Sequence, residues 1–123
     1  MTIFSPVGNT NLKPMGNKGS KTSEKSIQKA EMITDILSVF DDITSKQMFG
    51  GHGLFSHGKM FGMVDPEGVV YFKVGDSNRD DYEKEGSSRH SRMPYYKVPI
   101  KILANKEDLV KWADKSITEA KLS

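Results

Sequence analysis

A chain of 123 residues, 36% of them apolar, has the length and composition of one small domain with a modest core. It contains no cysteine, which excludes a disulfide framework and any thiolate zinc site. No apolar run approaches the ~18 residues of a membrane span and no signal-peptide core follows Met1, so the expectation is a cytoplasmic protein without membrane contact.

The net charge of +2 is unevenly spread. Residues 1–29 carry five lysines (Lys13, Lys18, Lys21, Lys25 and Lys29) against Glu24 alone, while the remainder holds 13 basic and 15 acidic side chains. The slightly acidic remainder is a poor electrostatic match to a phosphate backbone. Residues 1–22, rich in Gly, Asn, Ser, Pro and Lys, read as a flexible basic arm in which Ile3, Phe4 and Val7 could dock on a partner. Residues 23–123 read as the folded domain.

From Ser23 to Phe40 the apolar residues Ile27, Ala30, Ile33, Ile36, Leu37 and Phe40 recur at helical spacing, with Ser23 or Thr22 as cap and Asp41-Asp42 as a stop. Short strands follow. Ile43 to Phe49 is the first, interrupted by Gly50, Gly51 and Gly53 before Leu54 and Phe55. A tight turn at Ser56-His57-Gly58-Lys59 leads to a return strand, Met60 to Val64. A second turn at Asp65-Pro66-Glu67-Gly68 leads to Val69–Val74, dense in β-branched and aromatic residues. Asn78 to Glu85 reads as a short helix ended by Gly86, and Ser87 to Arg92 as a basic connection. Met93 to Val98, flanked by Pro94 and Pro99, suits an edge strand. After a helical turn over Pro99–Ala104, Asn105 caps a last helix whose inner face is Leu109, Trp112, Ala113, Ser116, Ile117 and Ala120. Two amphipathic helices bracketing a small antiparallel sheet imply a two-layer α+β domain.

The linear order of these blocks resembles one family. Lys46-Gln47-Met48-Phe49-Gly50-Gly51-His52-Gly53-Leu54 is similar to the K-x-M-F-G-G-x-G block that opens the sheet of the TfoX/Sxy N-terminal domain. Gly58-Lys59-Met60-Phe61-Gly62, Tyr71-Phe72-Lys73-Val74, Asn78-Arg79 and Met93-Pro94-Tyr95-Tyr96-Lys97-Val98-Pro99 fall where that family carries its further signatures, as does Leu109-x-x-Trp112-Ala113. The resemblance runs from about Lys46 to Ile117. It implies a non-enzymatic regulatory domain working through protein contacts, of the kind found in competence regulators. Two departures stand out: the connection Ser87–Arg92 is shorter than in many members, so the sheet is expected to lack one β excursion. The helical C-terminal domain of full-length regulators is not seen, so the reading is of a stand-alone N-terminal domain.

Candidate chemistry is thin. The glycines at 50, 51 and 53 could let backbone N–H groups approach a phosphate, but without Walker or Rossmann spacing a bend between strands explains them better. His52, His57 and His90 could supply three metal nitrogens, though no carboxylate stands at ligand spacing, and independent surface histidines are the simpler reading. Asp80, Asp81, Glu83 and Glu85 read as a solvated helix face rather than an acid–base pair. Met48, Phe49, Met60 and Phe61 read as core packing. Tyr95 and Tyr96 should point to opposite faces of a strand, one in the core and one exposed.

The candidate interaction patch is Lys73, Asn78, Arg79, Arg89, His90, Arg92, Tyr95, Tyr96 and Lys97, which could converge at the open sheet edge to take an acidic peptide or phosphate. The alternative for Arg79 is an ion pair with nearby acids or a strand-end cap. The leading expectation is a protein-binding domain, monomeric or homodimeric, without catalytic residues, cofactor or metal. The alternatives are weak nucleic-acid association through the arm and, last, a small hydrolase or metal enzyme.

Overall fold

A computed structural model of the chain describes residues 22–123; the basic arm, Thr22 apart, lies outside the described residues. Glu24–Ile36 forms helix α1. Ser23 caps it in extended backbone, its hydroxyl accepting from the Ser26 N–H at 3.1 Å. The predicted helix extends to Phe40, whereas the α-helix ends at Ile36 and Leu37–Val39 tighten into a 3-10 turn. Such tightening satisfies carbonyls that the last α-helical turn leaves open. Asp42 then takes a positive φ of 55°, which turns the chain into the sheet.

Five strands follow: β1 (Ile43–Met48), β2 (Gly51–Ser56), β3 (Lys59–Val64), β4 (Val70–Lys73) and β5 (Tyr95–Lys97). They pair antiparallel in chain order, so the sheet is a pure meander with β1 and β5 at its edges. Helix α2 (Arg79–Lys84) lies in the β4–β5 connection; α3 (Ile100–Leu103) and α4 (Lys106–Leu122) follow β5. Asn105 caps α4, its Oδ1 accepting from the Asp108 N–H at 3.0 Å. This is the two-layer α+β architecture that the periodicities predict.

The first two hairpins close with two-residue loops, Phe49-Gly50 and His57-Gly58, in which both residues have positive φ. That is the loop type whose twist matches paired strands. Gly51 and Gly53 therefore belong to β2; they do not interrupt a strand, as their spacing suggests. Only Gly50 is needed for the turn. The short connection after Gly86 makes one bridge, Arg89 to Tyr96, and adds no further strand to the sheet.

Register divides the sheet into two faces. His52, Val64 and Val70 stand in line across three strands, as do Leu54, Gly62, Phe72 and Tyr96 across four. This inner face carries Leu54, Val64, Val70 and Phe72 into one core with Ala30, Ile33 and Leu37 from the α1 end and Leu109, Ala113, Ile117 and Ala120 of α4. Burying each large aliphatic or aromatic side chain here contributes about 1.5–3 kcal/mol. Pairing shifts between Leu54–Gly62 and Phe55–Met60, leaving Phe61 as an extra residue on β3. This bulge puts Phe61 into the core, where its ring lies 5.8 Å from that of Phe72.

The outer face has no helix over it among the described residues. Met48 and Met60 belong to this face and are half-buried, and Phe49 at the hairpin tip is 94% exposed. Of the four residues expected in the core, only Phe61 is there. The bulge reverses the alternation beyond it, which sequence spacing alone does not reveal.

Candidate interaction surface

On the outer face, β2 presents Gly51, Gly53 and Phe55, and the paired positions on its neighbours are Met48, Lys46, Met63 and Met60. Glycines at the centre leave the floor low, and long methionine side chains rise on both sides. The place of a Cβ on Gly53 is already taken, with Met48 Sδ and the Phe55 ring each 2.9 Å from it. Lys46 Nζ lies 5.4 Å from the centre of the Phe55 ring, a cation–π contact.

Toward the Phe49-Gly50 turn this face deepens into a groove of about 410 Å³. Its walls are Met48, Met60 and Met63, with Phe49 at one lip, Pro66 from the β3–β4 turn, and His90 and Met93 from the β4–β5 connection. The chain has seven methionines, two of them before residue 22; of the five others, all but Met32 line this groove. Unbranched and polarisable, methionine adapts to the shape of an apolar guest.

Polar groups at the groove are few and mostly engaged. Asp65 Oδ1 accepts from the Glu67 and Val69 N–H groups at 2.9 Å each. His90 stands edge-on to Tyr71, ring centres 4.7 Å apart, and its buried Nδ1 has no hydrogen-bond partner among the described residues. Burial, with the Asp65 carboxylate adding to it, raises the Tyr71 pKa above its ordinary value.

The histidines are separate, and His52 is not on the surface as expected. It is 7% exposed under α1, with Nδ1 2.9 Å from the Ser26 hydroxyl. Desolvation lowers its pKa, opposed in part by Glu31, so the ring is neutral near pH 7. His57 is exposed, 3.6 Å from the Asp42 carboxylate. Among the described residues no three His, Asp or Glu side chains are grouped to hold a metal ion. The acids in and just after α2 are partly paired: Asp81 with Lys115 at 2.8 Å and the C-cap residue Glu85 with Lys101 at 2.9 Å.

The structure divides the nine residues of the sequence-derived patch. Lys73 and Tyr95 are paired on the outer face, as are Lys97 and Tyr71. Tyr95 is buried there, its hydroxyl donating to the Met60 carbonyl at 3.3 Å, and burial raises its pKa. Tyr96 faces the other way, half-buried against Tyr82, so the two tyrosines do take opposite faces but neither is fully exposed. Arg79 pairs with Asp76 at 2.9 Å; that bond, with Tyr96 nearby, holds its pKa above the ordinary value. Arg89 donates to the carbonyls of Ser91 and Arg92 and stays exposed with Arg92. His90 alone of the nine lines the groove.

Asn78 is 1% exposed. Its Oδ1 accepts from the Gly75 N–H at 2.8 Å, and its Nδ2 donates to the Lys73 carbonyl at 3.0 Å and the Ser116 hydroxyl at 3.3 Å. Ser116 in turn donates to the Lys73 carbonyl at 2.8 Å. Asn78 thus ties the end of β4 to α4.

The sequence reading missed Met63, Met93 and Phe49 as surface-forming residues. The available signal was the pair of glycines two apart on β2, facing methionines on both neighbouring strands.

Comparison with known proteins agrees with the fold. The TfoX N-terminal domain matches residues 35–120, from late α1 to late α4. No curated protein matches the chain. No described helix is long and apolar enough to cross a membrane. The TfoX N-terminal domain is not a known enzyme family. A match over more than half of the chain, on a meander and helices that follow the family's block order, places this protein in the TfoX N-terminal domain family.

Proposed function

We propose that this TfoX-type domain is a non-enzymatic, cytoplasmic protein-binding module in a regulatory pathway, and that its partner docks in the methionine groove of the outer face. The observation that supports this reading is the groove itself: four methionines and an almost fully exposed phenylalanine around a glycine floor. A solvent-facing apolar surface of this kind marks an interaction site far more often than it serves stability. Its occupant would be an apolar or amphipathic segment inserting a few side chains among the thioethers.

Photo-methionine incorporated into the full chain tests the reading, because the reactive groups then line the groove. Cross-linking to a discrete partner peptide through Met48, Met60, Met63 or Met93, and its loss in Met63→Gln and Phe49→Ser, is the expected result. Cross-links through Met32 alone, or undiminished capture by both variants, would contradict it.

The charge imbalance of residues 1–29 supports a second reading, nucleic-acid association through the arm. A mobility shift that weakens steeply with salt and disappears when Lys13, Lys18 and Lys21 are replaced by glutamine would favour it. Salt-insensitive binding that survives the substitutions would not.

A further inference from the structure

Charge in the folded domain is segregated by element. All 16 acidic residues of the chain lie in helices, at their caps or in connecting turns, and none of the five strands contains one. The strands carry Lys46, Lys59, Lys73 and Lys97 instead, and the connection from Ser87 to Pro94 adds Arg89 and Arg92 without an acid. The acidic excess of residues 30–123 therefore belongs to the helices and turns, not to the sheet.

Register places three of these lysines on the uncovered outer face. Lys46, Gly53, Met63, Tyr71 and Lys97 form one row across all five strands, with a lysine at each edge. Four strand spacings separate the two lysines, roughly 19 Å at the backbone. Lys73 pairs with Tyr95 on the same face, and the exposed Arg92 stands directly before Met93, a wall of the groove. Among the described residues, ion pairs engage Lys25, His57, Arg79, Lys101 and Lys115, but none of Lys46, Lys73, Arg92 and Lys97. Asp65 is the acid that lines the groove, and its Oδ1 is committed to two N–H groups of its own turn.

We propose that the partner segment docked on this face is acidic and amphipathic. Its apolar side chains enter the methionine groove, while carboxylates flanking that stripe meet Lys46 at one edge and Arg92 and Lys97 at the other. This rests on the reading of the groove as the docking site. Exposed ion pairs contribute little affinity each, so the cations select among apolar partners and steer their approach rather than hold them. Arg92 can grip a carboxylate through two N–H groups at once. A nucleic acid would also bring negative charge, but its bases need open aromatic faces to stack on. Here Tyr71 is in contact with the His90 ring, Phe55 lies under Lys46, and Tyr95 is buried. A groove walled by thioethers suits apolar side chains better.

Two designed helical peptides of about 18 residues test the proposal, sharing one leucine stripe and differing only in its flanks, glutamate in one and lysine in the other. Their binding to the full chain is read by fluorescence anisotropy. The glutamate peptide is expected to bind at least about tenfold more tightly at low salt, and the gap should close as salt approaches about 1 M. Combining Lys46→Glu, Arg92→Glu and Lys97→Glu should invert the preference. Lys84→Glu, Lys111→Glu and Lys121→Glu, the same change in net charge on α2 and α4, should leave it unchanged. All six positions are exposed, and the comparison of the two peptides on the unaltered chain needs no variant.

Failure of the glutamate peptide to bind, equal affinity for both peptides, or inversion by the α2 and α4 substitutions would each overturn the proposal. So would an oligothymidylate of matched length binding as tightly as the glutamate peptide, which would assign the face to nucleic acid. The two readings can fail separately. Equal affinities that both collapse in Met63→Gln remove only the acidic partner; a glutamate preference untouched by Met63→Gln and Phe49→Ser removes the groove as the docking site.

Discussion

A Cβ on residue 51 would lie 2.0 Å from the Val64 carbonyl oxygen, and 3.1 Å from the Asp65 Cα. Both obstacles are backbone, so no rotamer change makes room. Gly51→Ala is expected to destabilise the domain by about 1–3 kcal/mol, as overpacking does, read as a lower urea midpoint at unchanged slope. An unaltered midpoint would mean that β2 and β3 separate freely there. His52 offers a test of a different kind. Its ordinary pKa of 6.5 is lowered in the folded state by burial. As pH falls through 6.5 the unfolded chain takes up the proton first, so acid favours unfolding and the stabilising contribution is complete only above that value. His52→Gln should therefore flatten the loss of stability between pH 7.5 and 5.5, measured by urea titration at each pH. An identical pH slope in the variant would show that other groups account for the loss.

At the scale of elements, much of the architecture follows from local chemistry. The caps at Ser23 and Asn105, the Asp65–Gly68 turn, the Gly86 stop and the edge position of Tyr95–Lys97 depend on residues within a few positions of one another, and all are found where local preference puts them. The groove was not legible because it depends on register. The Phe61 bulge decides which side Met60 and Met63 occupy, and it is set by core packing across strands distant in sequence. Asn78 shows the same limit: its polar side chain suggests a surface contact, and only the tertiary structure brings Gly75, Lys73 and Ser116 around it. Asn78→Ala would leave buried partners unsatisfied, at an expected loss of about 1–3 kcal/mol, and faster hydrogen exchange at the Gly75 amide should accompany it. Retained protection at Gly75 would argue that this bond does not anchor the loop. The β1 edge is handled differently: Thr44 to Gln47 are polar and exposed, with Lys46 on the strand, a composition that discourages pairing with another sheet.

For the molecule as a whole, both long helices and the inner face of the sheet contribute to a single core. Trp112 stands against Tyr82 of α2 with ring centres 4.6 Å apart, so its fluorescence reports on the α2–α4 contact. Unfolding followed by Trp112 emission and by far-ultraviolet circular dichroism should give superimposable transitions, as for a two-state domain. Separate midpoints would show that the helical layer and the meander come apart independently. The distribution of sulfur has a chemical consequence of its own. With no thiol in the chain, methionine is the main target for peroxide, and four of its thioethers converge on one recess. Conversion to sulfoxide would turn that apolar wall polar and chiral while leaving intact the helix-covered core, to which no methionine among the described residues belongs. Whatever the groove holds would then be released by a reversible oxidation, without unfolding of the domain that presents it.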